Sequence, residues 1–163
     1  MCRSSRARPS PLHTAGQMPD PSLTVLIVET TAGDPPVEFL GPSSDIVYFI
    51  SMAHSERYGA HHPLARAAFV LKRKLKVDIG PLLNYGDARV EGYEEMELIE
   101  KLWQEPGPLA AAARSAAGTI EDNPEVRELT AAFPELPDRL RELAEMADWA
   151  AAQGARVRLT YVL

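Results

Sequence analysis

The chain has 163 residues, 45% of them apolar and 25% charged, with a formal net charge of −6. That length and composition suit one globular domain with its own core, and a lone cysteine, Cys2, excludes an intrachain disulfide and a thiolate metal site. No apolar run approaches the roughly 18 residues a membrane-spanning helix needs, and the acidic balance argues against binding to phosphate backbones.

Residues 1–20 differ from the rest. Arg3, Arg6 and Arg8 stand against Asp20 alone, and Pro9, Pro11 and Pro19 leave no apolar periodicity. Such composition reads as a disordered tail or a start assigned too early, with Met18 as the alternative first residue, and it lacks the apolar core of a secretory signal. Removing the +2 of this segment from the total of −6 leaves −8 on residues 21–163, which are read as a single α+β domain.

Leu23–Thr30 is rich in β-branched residues and reads as a strand, followed by a turn at Ala32–Pro36 and a second short strand over Val37–Leu40. Pro42–Asp45 offers helix-capping residues before Ile46, Phe49, Ile50 and Ala53, which recur at helical spacing. The run Ile46–Ile50 is equally β-prone, so helix and strand both remain open there. Pro63 begins a clearer helix with Leu64, Ala68, Leu71 and Leu75 as one stripe. Residues 78–92, with two glycine-bearing turns, read as loop, and Leu82, Leu83 and Tyr85 within it read as a core plug.

Tyr93–Gln104 reads as a helix with Met96, Ile99, Leu102 and Trp103 inward. Pro106 and Pro108 open an alanine-rich helix over Leu109–Ala117, with Gly118 as its stop. Asn123 and Pro124 start another, with Val126, Leu129, Ala132 and Phe133 inward. The last helix spans Pro137–Gln153 and is closed by Gly154. Arg156–Leu163 alternates, with Val157, Leu159 and Tyr161 on one face and Arg156, Arg158 and Thr160 on the other. It needs a partner strand, and Leu23–Thr30 is the natural one. The fold class is therefore α+β: a small sheet of N- and C-terminal strands packed against four to six helices.

Two clusters carry chemistry. Met52–Pro63 holds His54, His61 and His62 with Glu56 and Tyr58 between them, and imidazoles are the side chains most readily recruited for metal binding or proton transfer near neutral pH. His54, one of His61 or His62, and Glu56 or a distant carboxylate (Asp45 or Asp87) could hold a divalent ion such as zinc and activate water. Without metal, His54 would act as general base, oriented by Tyr58 or Glu56. No established ligand spacing is present, and histidines beside Gly59 and Pro63 are ordinary turn residues. The second cluster, Lys72, Arg73, Lys74 and Lys76, suits an anion or an acidic partner. Its plainer account is compensation of a helix C-terminus and pairing with the Glu94–Glu100 helix.

No nucleophile elbow and no phosphate loop occurs. The reading that follows is a cytoplasmic, non-enzymatic interaction or regulatory module with a protein partner or self-association. A small metal-dependent hydrolase centred on the histidines is the second reading.

Overall fold

The computed structural model describes residues 24–54 and 61–163, His54 by its backbone alone. The expectations for residues 1–20, for Met18 and for the run 55–60 lie outside the described residues.

The chain forms β1 (Val25–Thr30), α1 (Ser44–His54), α2 (Pro63–Phe69), a wider π turn (Val70–Lys74), a 3-10 turn (Gly80–Leu83) and β2 (Tyr85–Asp87). It continues through α3 (Tyr93–Glu100), α4 (Pro106–Asp122), α5 (Pro124–Leu129), α6 (Leu136–Ala152) and β3 (Val157–Val162). The sheet order is β1-β3-β2, with β1 antiparallel and β2 parallel to the central β3. The terminal strands pair as expected, Val28 opposite Leu159 and Glu29 opposite Arg158. The fold is α+β.

One side of the sheet packs on the helices. Leu26, Val157 and Leu159 join Ile46, Phe49 and Ile50 of α1 and Leu82 of the 3-10 turn in a single core. The ambiguous run at Ile46–Ile50 is helix. Burial settles the choice: Ile46, Phe49, Ile50 and Ala53 are all buried, and only a helical period turns all four toward the same neighbours. Behind them α4 and α6 lie against each other through Ala113, Ala116 and Ala117 and through Ala144 and Ala147, each fully buried. Small side chains let the two backbones approach, so contact is made along whole helix faces.

Several boundaries differ from the sequence reading, each for a local reason. Val37–Leu40 is not a strand. Pro35 and Pro36 stop a hairpin, and the outer edge of β1 is engaged by Ser43, whose Oγ accepts from the Leu26 N–H at 2.9 Å. Residues 78–92 are not all loop, because Tyr85–Asp87 adds a third strand beside β3. Three residues are too few to announce themselves by alternation. Leu82 is the expected core plug, and Leu83 and Tyr85 pack on the core beside it.

Gly118 does not stop α4, which runs on to Asp122 with Ile120 buried. The stop is Asn123, held extended (φ −93°, ψ 118°) by the proline that follows, while its side chain accepts from the Val126 N–H to cap α5. Helix α5 is short, so Val126 is buried but Ala132 is exposed. Leu75 leaves the apolar stripe and is 39% exposed. The π turn is the cause: its wider winding, with the Leu75 N–H bonded to the Val70 carbonyl, rotates Leu75 away from Leu71. Thr160, assigned to the solvent face, is 2% exposed, because that side of the sheet is also covered.

A polar clamp fastens the segment before α1 to α6. Arg139 is buried and its guanidinium pairs with Glu142, Nη2 donating to Oε2 at 3.1 Å with Nε 2.8 Å from Oε1, while Nη1 reaches Glu135 at 3.3 Å. Glu142 Oε1 also accepts from the Leu40 N–H at 3.3 Å. Gly41 lies flat on this guanidinium: a Cβ there would stand 2.0 Å from Arg139 Nη1. Burial raises the Asp45 carboxyl above its usual range, Glu135 pushes it further the same way, and Arg139 opposes both.

Candidate interaction surfaces

Of the proposed acidic partners, Asp45 and Asp87 lie among the described residues and Glu56 does not. His54 is the last residue of α1, and Glu56 and Tyr58 lie outside the described residues. Asp45 sits at the opposite end of α1, nine residues away, which at helical rise is about 13 Å along the axis and too far to share a metal with His54. Asp87, at the end of β2, is engaged by Arg89. Its Oδ1 accepts from the Arg89 backbone N–H at 2.9 Å and its Oδ2 pairs with Nη2 at 3.0 Å, which lowers its pKa.

His61 and His62 are exposed. His62 has a definite local task, since it is the N-cap of α2 and its Nδ1 accepts from the Leu64 N–H at 3.1 Å. His62→Ala should therefore destabilise the fold by about 1 kcal/mol, with His62→Asn largely restoring it, read from urea midpoints. Loss with both substitutions alike would point to a role other than capping. Among the described residues, no three His, Cys, Asp or Glu side chains come together closely enough to hold a metal ion.

Near the carboxyl end of α1 a small aromatic group closes the sheet. The Tyr85 hydroxyl donates to Ser51 Oγ at 3.4 Å, and its ring lies 5.8 Å from that of Tyr161, tilted by 56°. Burial raises the Tyr161 hydroxyl above its ordinary pKa, and Asp87 and Tyr85 add to the rise.

The basic cluster stays on the surface, with Arg73, Lys74 and Lys76 exposed and Lys72 half-buried. Lys74 takes a partner other than the expected Glu94–Glu100 helix. Lys74 reaches Glu125 of α5 at 3.5 Å, a half-exposed pair that contributes little. Glu100 is drawn instead to Arg158 at 3.0 Å. Sequence proximity gave no way to see either partner.

Arg158 is the group that sequence reasoning missed, and it organises the sheet's second face. It lies on β3 opposite Glu29, grips that carboxylate through Nε and Nη2 at 3.1 and 3.0 Å, and turns Nη1 to Glu100. Its guanidinium carbon lies 4.4 Å from the centre of the Trp103 ring, and the indole N–H donates to Glu100 at 3.0 Å. Beside this, Leu102 lies over Gly86, where a Cβ would stand 2.9 Å from Leu102 Cδ1, and Gly86 pairs with Thr160. The Gln104–Val157 bridge then ties the end of this segment to β3.

Helix α3 is thus carried on the outside of the sheet, fastened from its C-terminal end. None of its residues is buried. Met96, expected inward, is 53% exposed. Tyr93 is 87% and Leu98 62% exposed, and Ile99 is half-buried. The helix also ends at Glu100 rather than Gln104, because Leu102 and Trp103 leave it to cover the sheet. Tyr93, Met96, Glu97, Glu100 and Lys101 line a shallow groove of about 370 Å³.

No known protein family, curated protein or solved structure that was compared with the chain matches it. Among the described residues no helix is long and apolar enough to cross a membrane.

Proposed function

We propose that the chain is a protein-interaction module whose docking element is α3. The observation that carries this reading is the exposure of Tyr93, Met96 and Leu98 on a helix none of whose residues is fully buried. An eight-residue helix does not persist in water on propensity alone, and this one contributes no core side chain of its own. Its anchors are large and of the types that supply interface energy, an exposed tyrosine and a methionine. Glu97 lies one turn from Tyr93 and Glu94 one turn from Leu98, so the complementary surface is apolar at its centre with cations at its rim.

A photo-crosslinking residue at position 96 of the full chain tests this in the native host. The expected result is one or a few discrete protein adducts. They should be missing when the probe sits at the exposed position 131, and lost when Tyr93→Ser is added. Equal labelling from both positions, or indifference to Tyr93→Ser, would overturn the reading.

A further inference from the structure

Resting on that reading, we infer that the sulfur of Met96 is a site of reversible oxidation, and that its sulfoxide releases the partner from α3. Met52, Met96 and Met146 lie among the described residues, and they differ sharply in access. Met96 is 53% exposed, Met146 is 3% exposed within α6, and Met52 packs against the core from α1. A dissolved oxidant therefore meets the Met96 thioether well before the other two.

Position gives that access a consequence. Met96 lies one helical turn from Tyr93 and one from Glu100, in the lining of the shallow groove. As a thioether it is an adaptable apolar filler of the kind that suits an interface. As a sulfoxide it carries a polar acceptor oxygen, which loses its water when a partner covers it and weakens binding wherever no donor replaces that water. None of the residues of α3 is fully buried, so the change falls on docking and spares the fold. Oxidation of Met146, inside the helix layer, would disrupt packing instead.

The surroundings select the oxidant. Glu94, Glu95 and Glu97 outweigh Lys101 beside the groove, which disfavours anionic oxidants and leaves neutral hydrogen peroxide unopposed. The Met96 sulfur attacks one peroxide oxygen, so that the O–O bond breaks and an S–O bond forms. The departing hydroxide takes the proton left on the transferred oxygen and leaves as water. Sulfur loses two electrons and peroxide gains them. A methionine sulfoxide reductase reverses the step with a dithiol, which becomes a disulfide while the oxygen leaves as water.

The test uses the full chain with a photo-crosslinking residue at position 97. It is treated with graded hydrogen peroxide, freed of it, and crosslinked in host lysate from which small thiols have been removed. Peptide-resolved mass spectrometry should show Met96 oxidising about tenfold faster than Met52 or Met146, with the thermal transition unchanged. The yield of discrete adducts should fall in proportion to Met96 sulfoxide, about tenfold at full conversion. It should return after treatment with the two reductase types, one for each sulfoxide epimer, and dithiothreitol.

Met96 oxidising no faster than Met52 and Met146 overturns the inference. So do adducts that persist on the oxidised chain, and so does an equal loss of adducts on peroxide treatment of a Met96→Leu chain. A reduced chain that gives no adducts removes the docking role of α3 and the switch with it. Adducts indifferent to oxidation leave the docking role standing and remove the switch alone.

Discussion

Gly41→Ala should destabilise the protein by about 3 kcal/mol or more, although it adds a single methyl group. The methyl would stand 2.0 Å from Arg139 Nη1, so either the backbone before α1 or the guanidinium must move. The guanidinium has nowhere better to go. Its side chain is 5% exposed and is held by Glu142, itself 11% exposed, on two of its nitrogens. Displacing it leaves a buried carboxylate without its cation, and that desolvated charge is the costly element rather than the lost attraction.

The check is a double-mutant cycle in urea. Arg139→Ala alone should also be strongly destabilising, but Gly41→Ala added to it should cost little further, giving a coupling energy close to the whole single-variant effect. Additive effects would show that Gly41 acts through its backbone freedom instead.

The second large effect is expected at Arg158. Arg158→Ala removes the bidentate pair with Glu29, the contact with Glu100 and the stacking on Trp103 together. The carboxylates it leaves are solvated, so no buried charge is stranded. The cost should be about 2 kcal/mol, built from a partly buried ion-pair network and a cation–π contact. For a chain of this size that corresponds to a fall of roughly 5 °C or more in the thermal midpoint.

The more telling readout is local. Amide exchange in α3 should accelerate well beyond that of α4 and α6, because α3 has no core side chain to hold it once Glu100 and Trp103 are released. Arg158→Lys should restore little, since an ammonium can neither grip Glu29 bidentately nor stack on the indole in the same way. Uniform acceleration across the chain would mean that Arg158 supports the sheet as a whole and does not specifically carry α3.

These two positions show where the chain's own pattern stops being informative. Gly41 sits in a segment of loop composition, and its packing partner lies 98 residues away in α6. Arg158 was correctly placed on the face opposite Val157 and Leu159 by alternation. What it touches there depends on the register of β1, which sets Glu29 opposite it, and on the path of Leu102 and Trp103 as they leave α3. Helix α3 was legible as a helix but not as an exposed one. Met96 reads as a core position beside Leu102 and Trp103, but only the latter two turn onto the sheet's second face.

The histidine run stood out most clearly in the sequence, and its residues 55–60 lie outside the described residues. His62 caps α2, Asp45 lies at the far end of α1, and Asp87 is held by Arg89. Lys74 of the basic run takes Glu125 and Glu100 of α3 takes Arg158, partners that spacing along the chain does not indicate.

The sequence by itself determined the elements whose signal is local and repeated. The terminal strands follow from β-branched alternation, α6 from a long amphipathic period, and the start of α5 from Asn123 and Pro124, all expressed within a few residues. Tertiary structure alone decided the helical state of Ile46–Ile50, the third strand at Tyr85–Asp87 and the outward face of α3. Each of these depends on which distant surface is available for burial or pairing. The free energy of that contact outweighs local preferences worth only fractions of a kcal/mol per residue.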